Sequence, residues 1–177
     1  MRNVAVIGMG HVGATVAFTL FTHGIVDNLY LLDKNQAKAE AEYNDLRDTL
    51  ARNDYHVNVF LGDYNDLKNV DIIVTSFGDI AATVKTGDRF GEFEINAKNA
   101  KEVGAKIKES GFNGVLINIS NPCDAISTIL QETTGLSRKQ VLGTGTFLDT
   151  ARMQRIVGEE LNDDPRNVAG FVLGEHG

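Results

Sequence analysis

The segment Gly8-Met9-Gly10-His11-Val12-Gly13 constrains this chain more than any other, because few backbones can use three glycines at that spacing. It follows the aliphatic run Val4 to Ile7 and opens an apolar stretch with helical character, which predicts a tight strand-to-helix turn. The first glycine permits the turn, the second lets backbone approach a bound group, and the third lets helix and strand touch. A helix starting there aims its unpaired N–H groups at the turn, an arrangement suited to phosphate. Taken alone, a glycine-rich turn is also an ordinary packing solution.

Asp33 adds to the turn. It ends the run Leu29 to Leu32 and lies about 20 residues past the glycines, where a carboxylate can meet an adenosine ribose. An anion there repels a 2′-phosphate, so NAD is expected over NADP. Asp33 could instead cap the next helix.

Further aliphatic runs occur at Val57 to Leu61, Asp71 to Ser76, Val115 to Ile119 and Gln140 to Gly143. They alternate with helical patterns at Ala14 to His23, Ala37 to Arg52, a helix starting near Arg89 or Phe93, and Asp124 to Thr134 after Pro122. This alternation predicts an α/β chain with a parallel sheet and helices on both faces. Thr83 to Gly91 reads as a mobile loop. After Gly143 come a Gly-Thr-Gly turn, a helix from about Leu148 to Leu161, a break at Pro165 and an apolar run from Val168 to Leu173. A domain boundary is therefore expected near Gly143, with residues 1–143 as the nucleotide-binding domain and 144–177 as the start of a second.

The chain has 177 residues, 42% of them hydrophobic, enough for one good core. A net charge of −7 argues against nucleic acid or an anionic membrane as partner, since phosphate-binding faces need excess Lys and Arg. Glycines and histidines interrupt the apolar stretch from Val4 to Val26, so neither a signal peptide nor a membrane span is expected. The single cysteine, Cys123, cannot form an internal disulfide, which fits a reducing, cytoplasmic location. It reads as a small buried hydrophobe. The sequon Asn118-Ile119-Ser120 ends an apolar run and should be buried. His11, His23 and His56 show no ligand spacing, so no metal site is expected.

Gly8 to Gly13, Asp33, Gly87-Asp88-Arg89, Ser120-Asn121-Pro122, Gly143-Thr144-Gly145-Thr146, Leu148-Asp149-Thr150-Ala151-Arg152 and Gly174-Glu175-His176-Gly177 occur in one order along the chain. Together they resemble the L-lactate and malate dehydrogenase family, and within it most closely the L-2-hydroxyisocaproate dehydrogenases. The resemblance covers the whole chain. It implies a Rossmann fold, a doubly wound parallel sheet, followed by the start of a substrate-binding α+β domain. It also implies NAD as cofactor and hydride transfer between the nicotinamide and a 2-hydroxy/2-oxo acid. The cofactor set would be Gly8, Gly10, Val12, Gly13, Asp33, Gly78 and Asn121.

On the same resemblance, His176 would carry the hydroxyl proton, a task for a side chain that titrates near neutrality. Asp149 would bond its far ring nitrogen; read alone, Asp149 is a helix N-cap. Arg152, three residues on, would grip the substrate carboxylate with its planar fork, a geometry Lys lacks. Arg155 is the ordinary surface arginine beside it. Asn121 would hydrogen-bond the substrate oxygen, and Arg89 would swing in to polarise the carbonyl and exclude water.

Malate-type members resemble one another in a loop arginine that pairs with a second carboxylate. Ala81-Ala82-Thr83-Val84 offers none, so a branched or aliphatic side chain on the substrate is expected; Lys85 keeps malate open, and lactate is the other alternative. Family resemblance further implies a homo-oligomer, dimer or tetramer, with the Ala37 to Arg52 helix similar to the segment at the main interface. The family continues well past Gly177, so a truncated NAD-binding module without turnover is the expectation from a different functional class.

Overall fold

The computed structural model describes residues 1–78 and 89–176, of which 89–91 are described as backbone alone. Six strands form one sheet: β1 (Asn3–Ile7), β2 (Asn28–Leu32), β3 (Asn58–Leu61), β4 (Ile72–Thr75), β5 (Val115–Asn118) and β6 (Val141–Gly143). Their order is β3-β2-β1-β4-β5-β6, and every pairing is parallel. Helices α1 (His11–Thr22), α2 (Gln36–Leu50), α3 (Arg89–Glu109), α4 (Cys123–Thr134) and α5 (Phe147–Leu161) complete the described elements, with short 3-10 turns at Asp66–Asn69 and Pro165–Asn167.

Period-two alternation along the strands explains why both sheet faces are covered. In β1, Val4 and Val6 join Phe21, Val26, Leu29 and Leu46 on one side. Ala5 and Ile7 join Leu67, Ile73, Ile107 and Leu116 on the other. The order in which successive strands are added reverses at β1, which is flanked by β2 and β4. The carboxyl ends of those three strands therefore open a crevice where folds of this order take their ligands.

The expected strands and helices are all present among the described residues, with shifts of a few residues. The largest is α1, which begins at His11 rather than Ala14. Glycine's poor helix propensity argues against a helix containing Gly13, yet a Cβ there would stand 1.8 Å from the Gly8 carbonyl oxygen. Close packing of helix on strand decides that position. The run Val168 to Leu173 forms no strand; it is extended, with Val168, Gly170 and Val172 half-buried and Ala169, Phe171 and Leu173 exposed. Most of the expected loop Thr83 to Gly91 lies outside the described residues, although the helix start at Arg89 agrees with one of the two expected bounds. No helix among the described residues is long and apolar enough to cross a membrane.

Candidate active site

The crevice holds a cleft of about 960 Å³ lined by Gly8, Gly10, Asp33, Tyr64 and Gly78, among others. Its floor is the glycine turn. Gly8 takes φ +104, and a Cβ on it would press on the Ser76–Phe77 backbone at 2.8 Å, so only glycine fits. Ser76 pins the turn by donating its hydroxyl to the Gly8 carbonyl at 2.8 Å. Gly10 differs: no atom lies within 4 Å of where its Cβ would be. That bare backbone faces the cleft at the start of α1, whose first turn carries neither a side-chain cap nor an acid. Exposed N–H groups, no acid in the first turn and no side chain at Gly10 in the way are what a pyrophosphate requires. The residues present thus fit NAD.

Asp33 is not the cap of the next helix. Asn35 caps α2, accepting from the Lys38 N–H at 3.3 Å. Asp33 instead accepts from the Met9 N–H at 2.6 Å and from the Asn35 N–H at 2.8 Å. At the far end of the cleft Lys106 pairs with Glu102 at 2.8 Å and lies over the Tyr64 ring, 5.2 Å from its centroid. Burial, helped by the charges of Glu102 and Asp33, pushes the Tyr64 hydroxyl up to about 12.

Val12 and Gly13 do not line this cleft. Val12 is 55% exposed on α1, and Gly13 serves the helix-to-strand contact. Asn121 also lies off it, at the carboxyl end of β5, with its backbone oxygen accepting from Asn96 Nδ2 at 2.7 Å.

A second group assembles on α5. His176 Nδ1 lies 2.5 Å from Asp149 Oδ2, and Arg152 Nη1 lies 3.9 Å from Asp149 Oδ1. Asp149 is not the N-cap; Thr146 is, and Asp149 sits in the first turn. The hydrogen bond from His176 holds the Asp149 carboxyl below the usual carboxylate range against partial burial, with the charges of His176 and Arg152 adding. Since a carboxylate only accepts, the His176 proton facing it is on Nδ1, which leaves Nε2 as the outward nitrogen. Arg152 is 56% exposed, so its fork is open to an anion. Arg155 pairs with Glu159 at 2.6 Å as a surface ion pair. The side chain of Arg89, with Gly87, Asp88 and residues 81–85, lies outside the described residues, as does Gly177.

Sequence reading missed the polar hub beneath these residues. Asn118 is fully buried; its Oδ1 accepts from Thr75 Oγ1 and the Ser120 N–H, both at 3.0 Å. Its Nδ2 donates to the Ser120 and Cys123 carbonyls and to Ser127 Oγ, each at 3.1 Å. The sequon is thus buried, as expected. Cys123 is buried too, but its sulfur accepts from the Gly145 N–H at 3.2 Å, tying the turn before α5 to the start of α4. The only sequence signal for the hub was an asparagine ending a fully apolar run, a place where an unpaired amide would be costly.

A doubly wound nucleotide-binding sheet joined to a His–Asp pair beside an open arginine defines the class: a dinucleotide-binding fold. Residues 2–143 match the lactate/malate dehydrogenase NAD-binding domain. The chain belongs to the lactate/malate dehydrogenase family. It is 45% identical over 176 residues to L-lactate dehydrogenase 1 of Bifidobacterium longum, covering 99% of this chain and 55% of that protein. It is 40% identical over 177 residues to L-lactate dehydrogenase 2 of Lactococcus lactis subsp. lactis, with the same coverage of 99% and 55%. The ligand-bound crystal structure of the minor L-lactate dehydrogenase from Enterococcus mundtii superposes with a TM-score of 0.93 at 34% identity, over 99% of this chain and 55% of that one. The chain thus spans about half the length of the relatives it matches.

Proposed function

We propose that this chain carries the cofactor domain and proton-transfer pair of an NAD-dependent L-2-hydroxyacid dehydrogenase acting on a small 2-hydroxy/2-oxo acid, with L-lactate and pyruvate as the favoured couple. The observation that carries the reading is the His176–Asp149 bond of 2.5 Å with Arg152 on the other carboxylate oxygen. L-lactate is favoured over the branched acid expected from the sequence because the similar proteins named above are L-lactate dehydrogenases. The absence of an arginine at 81–84 argues against malate.

NAD, when bound, accepts or supplies the hydride at the substrate C2. Gly8, Gly10 and the start of α1 would hold the pyrophosphate, Asp33 the adenosine ribose, and Gly78 would let the cofactor lie against the end of β4. Arg152 would bind the substrate carboxylate in a bidentate pair, which fixes the orientation of C2. His176 Nε2 takes the hydroxyl proton during oxidation and returns it to the carbonyl oxygen during reduction. Asp149 keeps that ring in the required tautomer and stabilises the imidazolium when the proton arrives. Asn121 would donate to the substrate oxygen, and Arg89 would meet the charge that develops there. A cytoplasmic dimer or tetramer belongs to the same proposal.

The test is NADH oxidation followed with pyruvate, oxaloacetate and 2-oxoisocaproate. Turnover is expected with pyruvate foremost and lost in His176→Ala, while NADH still binds; a fully active His176→Ala would sink the role of His176. The 83% and 86% exposure of Phe171 and Leu173, on the segment that delivers His176, favours a second reading, an NAD-binding module without turnover. NADH binding with no turnover on any of the three acids selects that reading.

A further inference from the structure

We infer that Thr146, Thr150 and Gln154 lace the extended segment 168–172 onto α5 and so set the position of His176 against Asp149; they are positioning residues, on the reading that His176 carries the proton. The three lie four residues apart, on one face of the helix. Thr146 Oγ1 donates to the Val172 carbonyl at 2.6 Å, and the Val172 N–H donates to Thr150 Oγ1 at 3.0 Å. Gln154 Nε2 donates to the Val168 carbonyl at 3.1 Å and to that of Gly170 at 3.4 Å. Both backbone groups of Val172 are thereby fixed, shortly before the chain turns at Gly174, φ +113, and reaches His176.

Two comparisons favour lacing over incidental contact. Other helical threonines here, including Thr15, Thr19, Thr49, Thr128 and Thr134, return their hydroxyls to carbonyls of their own helix four residues back. Thr146 does not even cap α5, although it occupies the N-cap. Its hydroxyl and that of Thr150 are turned outward to residue 172. Burial on this segment is only partial, because Phe171 and Leu173 are exposed while Val168, Gly170 and Val172 are half-buried, and the segment pairs with no strand among the described residues. Polar contacts from one helix face thus act together with that partial burial to hold the segment that delivers His176.

The test follows the His176 ring N–H by proton NMR in the full chain, since a proton held by Asp149 exchanges slowly and resonates far downfield. The resonance is expected in the unsubstituted chain and in Thr128→Val, whose hydroxyl serves only its own helix. Thr150→Val, which keeps the shape and removes the acceptor, is expected to lose it, and Thr150→Ser to restore it. Gln154→Met reads the same lacing at a second point should Thr150→Val fail to fold. A resonance that persists in Thr150→Val or in Gln154→Met overturns the inference, as does its absence from the unsubstituted chain. Because this readout needs no turnover, a chain that shows the resonance pattern yet reduces no 2-oxo acid removes the enzymatic reading and leaves the lacing standing.

Discussion

Replacing Gly10 and Gly13 one at a time by alanine separates ligand approach from packing within a single turn. Gly10 has φ −71 and ψ −177, ordinary extended values, and its missing Cβ faces empty space. Alanine there reduces the freedom of the unfolded chain and should add about 0.4–1 kcal/mol, or about 1–4 °C in Tm for a chain of this size. The same methyl would stand where a pyrophosphate needs bare backbone. Losing one charge-assisted hydrogen bond of about 1.5–3 kcal/mol weakens NADH binding by about 10- to 100-fold.

Gly13→Ala should do the opposite. Its Cβ would lie 1.8 Å from the Gly8 oxygen and 2.4 Å from Ser76 Oγ, so the bond between those two atoms must also give. Overpacking costs about 3 kcal/mol, offset by about 1 kcal/mol of improved helix propensity. The net of about 2 kcal/mol corresponds to a fall of about 4–8 °C in Tm. Calorimetry gives Tm, and the fluorescence of NADH itself reports binding, since the chain has no tryptophan to interfere. Gly10→Ala binding NADH within twofold of the parent, or Gly13→Ala melting with the parent, would refute the division of labour.

Asn118→Ala strands Thr75 Oγ1 and the Ser120 N–H in the interior, and urea unfolding should show a loss of about 3 kcal/mol. Asp149 has a lowered pKa when folded, so its stabilising contribution is present above about pH 4 and is lost as pH falls through the lowered value. Acid unfolding of Asp149→Asn should therefore be flatter across that window than the parent's; identical curves would remove the His176 bond as the cause. Tyr64 is held neutral up to about 12, so a 295 nm titration should show a phenol ionising there that is absent in Tyr64→Phe. Stability should correspondingly fall as pH rises from about 10 towards that value.

Local rules made much of the fold legible. Each strand is a short aliphatic run, and the glycine turn shows itself by the spacing of three glycines just past such a run, so both could be read in order along the chain. Helix α1 was misjudged because Gly13 answers to Gly8 and Ser76, and Ser76 is distant in sequence. Asn118, Asn96 and the threonines of α5 were invisible for the same reason. An amide or hydroxyl shows its type in sequence but not its partner, and Thr75, Asn121 and Val172 lie 22 to 43 residues from the groups they bond. The pairing of His176 with Asp149 rested on family likeness alone, since nothing in their separation of 27 residues requires contact.

Asp33 is usually considered for the sugar it would meet, yet its carboxylate already joins two backbone segments, accepting from Met9 in the glycine turn and from Asn35 before α2. The Met9 amide is consequently engaged and faces Asp33 rather than the phosphates. Any attempt to retune the chain from NAD to NADP by substituting residue 33 would release that amide and loosen the turn together with the ribose contact. Cofactor preference and phosphate binding are therefore mechanically coupled through one side chain, and a successful redesign would have to supply a new acceptor for the Met9 N–H.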